Sequence, residues 1–92
     1  MEQGWHVYIL RCADATLYTG IARDIEKRLM QHNGEHAGGP RYTRGRRPVQ
    51  LAWSDAVSSR GAALKREAEI KKLPRREKLR LIASSPVRRL PV

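Results

Sequence analysis

Two tyrosines, an arginine, a histidine and a distant glutamate are the residues of this chain best suited to acid–base chemistry. Tyr8 and Tyr18 lie in two short apolar segments, Arg28 and His32 are four positions apart, and Glu67 follows far downstream. A phenol and an imidazole can transfer a proton, a guanidinium binds anions, and a carboxylate holds a cation. Together these groups could move a proton beside a bound anion.

Each of these residues also has a purely structural interpretation. Tyr8 and Tyr18 could be two half-buried tyrosines of one sheet whose hydroxyls reach water. Arg28 and His32, being four apart on a helix, could form a solvated polar face, where a histidine in the last turn also suits the helix dipole. Spacing alone leaves both interpretations open.

Glu67 is the most informative carboxylate. It falls within an apolar helical stripe that also contains Ala63, Leu64 and Ile70. Glu69, in contrast, is flanked by lysines, which predicts an exposed residue that forms ion pairs. An inward carboxylate is costly without a cation. Lys71, four residues on, is one candidate partner. A single metal ion is another, since one carboxylate, waters and a phosphate often hold Mg²⁺. One such carboxylate excludes a two-metal site built from several acidic residues.

The elements that must position these residues read as one small domain. Residues 5–10 and 17–22 predict a β-hairpin, Asp24 caps a helix that stops at Asn33-Gly34, and residues 49–56 predict a third strand. Residues 58–73 and the segment after Pro74 predict two further helices. The predicted fold is α/β (α+β), a three-stranded, mostly antiparallel sheet flanked by helices in the order β-β-α-β-α-α. We expect a domain over 1–84 and a mobile tail over 85–92.

Two features between these elements suggest function. Gly20 weakens a strand interior, which indicates either a bulge or a close approach to the backbone. Residues 34–48 contain four Gly, two Pro and four Arg. This segment is too long and Gly-rich for a simple connection between two elements, which predicts a functional loop.

Composition identifies the class of partner. Nineteen Lys and Arg against nine Asp and Glu give a formal charge of +10 in 92 residues. This charge favours a polyanionic partner, with nucleic acid as the first candidate and an anionic membrane surface as the second. A basic protein of the ribosome or nucleoid would have a similar composition. The lone Cys12 excludes an internal disulfide. With no signal peptide or membrane-length apolar run, we expect a cytoplasmic protein that does not contact membrane.

The ordered set of motifs resembles the GIY-YIG nuclease family. It comprises "VYI" at Val7–Ile9, "YTG" at Tyr18–Gly20, and then Arg28, His32 and Glu67. The resemblance runs from about Trp5 to Ile82 and is closest to the small stand-alone bacterial members. It implies an endonuclease that cuts phosphodiester bonds in DNA with one divalent ion, Mg²⁺ or Mn²⁺, possible roles being DNA repair or recombination.

The resemblance also implies a role for each matched residue. Tyr8 would activate water, with Arg28 and the metal favouring its phenolate and His32 accepting its proton. Tyr18 would position a phosphate or water, and Arg28 would contact the scissile phosphate. Glu67 would hold the metal, and Gly20 would let the strand approach the sugar-phosphate chain.

The Gly-rich loop would then straddle the nucleic acid. Its basic and aromatic side chains are the expected phosphate and stacking contacts, namely Arg41, Tyr42, Arg44, Arg46 and Arg47. Nothing there resembles a base-reading helix, so structure preference is expected over sequence preference.

One departure from the family pattern keeps a second function open. Ile21 stands where several members carry a lysine, which removes one possible phosphate contact. The alternative is therefore a nucleic-acid-binding module that keeps the fold without turnover.

Overall fold

The computed structural model of the protein describes residues 4–84. Within that range the chain forms an α+β fold of three strands and four helices. In chain order these are β1 (Trp5–Arg11), β2 (Leu17–Ala22), α1 (Ile25–His32), α2 (Arg41–Arg44), β3 (Gln50–Val57), α3 (Arg60–Lys71) and α4 (Arg75–Ser84).

The sheet has the order β2-β1-β3, with both pairs antiparallel, as predicted. The β1–β2 register runs without a shift from His6 opposite Ala22 to Arg11 opposite Leu17. The β1–β3 pairing is irregular between Ile9 and Leu10. The central strand β1 therefore has a hydrogen-bonded strand on each edge, and its residues 7–10 are buried.

The two faces of the sheet carry two different cores, because successive strand residues point to opposite sides. One face is mainly apolar and packs under α3; its buried hydrophobic residues are Val7, Ile9, Trp53, Ala63 and Ile70. The other face packs under α1 and includes a phenol; its buried residues are Tyr8, Leu10, Cys12, Ala22 and Val49.

Side-chain caps fix where the two packing helices begin. The Asp24 carboxylate accepts from the Lys27 backbone N–H at 3.0 Å and so caps α1, as predicted. The Ser59 hydroxyl accepts from the Ala62 N–H at 3.1 Å at the start of α3. Each cap satisfies a backbone donor that would otherwise lack a partner.

The predicted element order was incomplete. The segment 34–48, expected to be a loop, contains the single-turn helix α2 between Pro40 and Gly45. Four residues give no hydrophobic period, so no sequence pattern could signal it. The stripe predicted for α3 was also wrong at Leu64, which is 38% exposed, while Ala63 and Ile70 are buried.

Two remaining expectations concern the extent of the domain. The predicted tail 85–92 lies outside the described residues, so the boundary at residue 84 stays a prediction. In the described part of the chain, no helix has the length and apolar character needed to cross a membrane.

Candidate active site

Tyr8 is the centre of the polar face. It lies on the central strand, and only 2% of its surface is exposed. Gly20 is its register partner on β2, and a Cβ on Gly20 would lie 2.6 Å from the Tyr8 hydroxyl oxygen. The glycine is therefore required by the phenol that lies over it. Of the two interpretations considered from sequence, a bulge is excluded by the unshifted β1–β2 register, and the close approach to the backbone is made by a ring of the same sheet.

Three aromatic rings meet beside Gly20. The Tyr8 and Tyr18 ring centroids are 6.5 Å apart, and the Tyr18 and His32 centroids are 5.0 Å apart in an edge-on arrangement. The two tyrosines thus share one face of the hairpin, as the strand alternation allows. The fold brings together three of the five residues proposed for catalysis in direct contact.

His32 is completely buried, so the solvated polar face considered for it does not exist. Its Nε2 lies 2.9 Å from the Tyr8 hydroxyl, and its Nδ1 lies 3.0 Å from the hydroxyl of Thr43. The Thr43 hydroxyl in turn donates to the Pro40 carbonyl at 3.2 Å. Both ring nitrogens are therefore engaged, one by the candidate base and one by α2.

Burial sets the protonation of this pair. It raises the pKa of Tyr8 to about 12, with the Arg28 guanidinium acting in the opposite direction and the charges of Tyr18 and Glu67 adding to the rise. Burial also lowers the pKa of His32 to about 4, helped by the positive charges of Arg28 and Arg47. At neutral pH the pair is a neutral phenol beside a neutral imidazole. The expectation that Arg28 favours phenolate is outweighed by desolvation.

Arg28 links the helix to the Gly-rich segment. Its Nη1 donates to the Gln31 side chain at 2.7 Å and to the Gly38 carbonyl at 3.2 Å. The guanidinium also interacts electrostatically with Tyr8, whose pKa it lowers against the effect of burial. Arg28 is thus held in position by its own helix and by the loop, next to the hydroxyl that it would assist.

Glu67 is partly buried, with 18% of its side chain exposed, and pairs with Lys71 at 3.3 Å. The ion pair considered from sequence is therefore present. The Glu67 charge also contributes to the high pKa of Tyr8, so the carboxylate lies within electrostatic range of the phenol. Glu69 is more exposed and pairs with Arg66 at 3.4 Å, where flanking lysines were expected.

The acidic side chains bear on the predicted metal. Across residues 4–84, no three His, Cys, Asp or Glu side chains come together as a ligand cluster. A single partly buried carboxylate fits a hard cation that keeps most of its water and takes the rest of its ligands from substrate. It does not fit a closed all-protein site. Glu67 is the residue that suits such an ion.

The basic residues of the loop divide into two classes. Arg41 and Arg44 are exposed on α2. Arg46 pairs with Asp14 at 3.0 Å and lies 4.2 Å over the Tyr42 ring, while Arg47 donates to the His32 carbonyl at 2.8 Å. The second pair therefore holds the loop against the domain.

Comparison with known proteins identifies the family of this chain. A model of the GIY-YIG catalytic domain matches residues 4–80. The chain belongs to the GIY-YIG family.

Relatives of this GIY-YIG chain are full-length matches. A UPF0213 protein of Syntrophus aciditrophicus is 53% identical over 90% of this chain and 94% of its own, and one of Staphylococcus saprophyticus is 49% identical over 85% and 93%. A solution NMR structure of a UPF0213 protein from Bacillus halodurans is 36% identical, covers 89% of this chain and 85% of its own, and superposes with a TM-score of 0.57. The chain therefore shares its fold with a solved UPF0213 protein.

Sequence reasoning missed three residues that organise this GIY-YIG site. Thr43 forms a hydrogen bond with His32, and Gln31 accepts one from Arg28. Asn33 exchanges two hydrogen bonds with the backbone of Val49, accepting at 2.7 Å and donating at 3.1 Å. Asn33 was visible only as a helix stop. Thr43 carries no local signal, because its partner His32 lies in another segment. Gln31 is three residues from Arg28 on the same helix, and this i, i+3 spacing is the signal that could have found it.

Proposed function

We propose that this GIY-YIG protein is a divalent-metal-dependent endonuclease that hydrolyses phosphodiester bonds in DNA. The observation that carries the proposal is the buried hydrogen bond of 2.9 Å between the Tyr8 hydroxyl and His32 Nε2. A scaffold gains little from placing a phenol on a neutral imidazole in a covered position. A general base must lie within hydrogen-bonding reach of the proton that it accepts, and His32 Nε2 meets this condition for the Tyr8 hydroxyl.

The Tyr8–His32 pair supports a relayed proton transfer. Water attacks phosphorus and gives its proton to the Tyr8 oxygen while the Tyr8 proton passes to His32 Nε2. The bond from phosphorus to the leaving oxygen breaks, and that oxygen takes a proton from solvent. Because the phenol pKa is about 12, a concerted transfer avoids a free phenolate. The negative charge of a bound phosphate would raise the pKa of His32 and favour its acceptance of the proton.

Arg28 and Tyr18 support the substrate side of this reaction. The guanidinium beside the phenol is placed to stabilise charge on the phosphoryl oxygens. Tyr18 packs edge-on against His32 and is partly exposed, and its hydroxyl would position a phosphate or the attacking water.

Glu67 is the residue that would hold a single Mg²⁺ or Mn²⁺ ion. When bound, such an ion polarises a phosphoryl oxygen and neutralises developing charge. The neighbouring Lys71, whose side chain is 56% exposed, can swing into solvent when a cation replaces it.

Arg41 and Arg44 are the proposed backbone contacts. They are exposed on a one-turn helix beside the site, and we expect them to contact phosphates rather than base edges. This supports recognition of DNA structure over sequence, as in repair or recombination, in the cytoplasm. Arg46, Arg47 and Tyr42 contribute by holding this surface in place.

A non-catalytic nucleic-acid-binding role remains the second candidate. Ile21 packs into the apolar core under α3, in a position where several family members carry a lysine. A site that lacks this cation could bind DNA with weaker turnover.

The test is a cleavage screen with Glu67 and Glu69 as a matched pair. Both carboxylates lie on α3 and pair with a cation on the same helix. With Mg²⁺ and single-stranded, duplex, flapped and branched DNA, and with RNA, we expect Glu67→Gln to abolish cleavage and Glu69→Gln to leave it within about twofold. Glu69→Gln should change stability by less than about 1 kcal/mol, since exposed ion pairs contribute little. Glu67→Gln keeps the shape of a partly buried side chain and loses its pair with the largely exposed Lys71, so we expect a cost of about 1 kcal/mol.

Two results would contradict the proposal. Cleavage by Glu67→Gln at the wild-type rate would remove the metal site. Binding to DNA with no metal-dependent cleavage on any substrate would favour the non-catalytic module.

A further inference from the structure

Thr43 is a completely buried polar residue of α2 that the sequence did not single out. Its hydroxyl oxygen lies 3.0 Å from His32 Nδ1 and 3.2 Å from the Pro40 carbonyl oxygen. A carbonyl can only accept, so the single Thr43 proton is directed to Pro40. Towards His32, Thr43 is then an acceptor.

This direction determines the hydrogen on the imidazole. The low pKa of His32 keeps the ring neutral at pH 7, so one nitrogen carries a proton and the other a lone pair. The Thr43 acceptor places that proton on Nδ1. Nε2 is then bare and faces the Tyr8 hydroxyl at 2.9 Å as an acceptor.

The opposite arrangement satisfies fewer groups. If Thr43 donated to Nδ1, the Pro40 carbonyl would lose this donor and Nε2–H would point at the phenol oxygen. The buried Tyr8 proton would then lose His32 as its acceptor, and an unmade bond in a covered position is unfavourable. The hydrogen-bond chain is complete in one direction, from Tyr8 through His32 and Thr43 to Pro40.

We infer that Thr43 is a positioning residue that selects the Nδ1–H tautomer of His32, so that the basic nitrogen faces Tyr8. This inference rests on the proposed function for its consequence in catalysis, while the tautomer itself does not. Thr43 lies between Arg41 and Arg44. The same turn therefore carries the proposed DNA contacts and orients the base.

The first test is the ¹⁵N NMR spectrum of the histidine rings at pH 7. We expect wild-type His32 to show a protonated Nδ1 and an unprotonated Nε2, and Thr43→Val to shift the population towards Nε2–H. Thr43→Ser, which keeps the hydroxyl, should restore the wild-type pattern. Signals of His6 and His36 are identified by single His→Gln variants at those positions.

A second threonine provides the control. Thr19 is also buried, 4% exposed, and among the described residues its hydroxyl has no hydrogen-bond partner. Thr19→Val therefore makes the same substitution at a buried position without removing any hydrogen bond of the series from Tyr8 to Pro40. It should leave the His32 tautomer unchanged.

The second test is single-turnover cleavage by the same variants. We expect Thr43→Val to lower the rate about 100-fold with little change in DNA affinity, and Thr43→Ser to recover most of it. A wild-type spectrum with Nε2–H, or an unaltered tautomer in Thr43→Val, would overturn the inference. The spectrum decides this even if no DNA substrate is cleaved, in which case only the proposed function fails.

Discussion

The two faces of the sheet are built from the same strand by opposite means. Val7 and Ile9 point under α3 into a core of aliphatic side chains and Trp53, all at most 3% exposed. Tyr8, between them, points under α1 into a chain of directed hydrogen bonds that ends at Pro40. One face depends on contact area and the other on donor–acceptor geometry.

This difference separates the residues that mainly stabilise the domain from those that carry its proposed chemistry. Apolar burial is non-directional and accounts for most of the folding free energy. The polar chain contributes less net stability but fixes the position of a phenol, an imidazole and a guanidinium. Changes on the apolar face should therefore affect mainly folding, and changes on the polar face mainly chemistry.

The largest expected effect is on the apolar face. Ile70→Ala removes a side chain with no exposed surface. We expect a loss of about 2–5 kcal/mol in unfolding free energy, or at least about 8 °C in Tm. Urea and thermal melts measure it. Cleavage below the new Tm should stay near wild type, and a large rate loss in the still-folded variant would break the division between the faces.

The next effect is a pH dependence of stability contributed by the polar face. The folded pKa of His32, about 4, is below its ordinary 6.5, so the unfolded chain binds the proton more tightly. His32 thus contributes stability above pH 6.5 that is lost as pH falls towards 4. The loss is on the order of 3 kcal/mol at most.

Urea unfolding of wild type and His32→Gln between pH 4 and 7 isolates this contribution, because the carboxylates titrate equally in both. The wild-type curve should fall more steeply with acidification than the variant curve. Parallel curves would mean that His32 is protonated as easily in the folded protein as in the unfolded chain.

Tyr8→Phe should separate chemistry from folding. It deletes one buried hydroxyl and keeps the ring over Gly20. We expect the cleavage rate to fall at least about 100-fold and stability to change by about 1 kcal/mol. Paired cleavage and melting curves make the comparison with Ile70→Ala direct. A destabilisation as large as that of Ile70→Ala would show that the polar face carries the fold as well.

The smallest effect concerns the edge of the polar face. Replacing Arg41 and Arg44 with Ala should lower the slope of log binding constant against log salt by about 1.8, if each contacts one phosphate. Fluorescence anisotropy at several salt concentrations gives the slope, and the Tm should not change. Arg47→Ala is the contrast, since its hydrogen bond to the His32 carbonyl makes it a residue of the fold. A slope unchanged by the double replacement would remove α2 as the docking surface.

Local sequence patterns and motif order predicted several features of this protein. Strand alternation allowed Tyr8 and Tyr18 to share one face, and the predicted helix start at Asp24 and stop at Asn33 are confirmed. The ordered set of tyrosines, Arg28, His32 and Glu67 indicated the family, and the charge of +10 indicated a polyanionic partner. These features follow from residues close in the chain or from motifs in fixed order.

The burial, protonation and hydrogen-bond partners of those residues follow from the tertiary structure. Tyr8 and His32 are 24 positions apart and Thr43 is 11 beyond His32, so no periodicity relates the three. Their burial reverses the protonation that the presence of Arg28 suggested, because desolvation depends on every segment packed around the pair. The loop arginines divided in the same way. Arg46 and Arg47 found partners in distant parts of the chain, while Arg41 and Arg44 remained at the surface, since loop closure rather than local sequence fixed their neighbours.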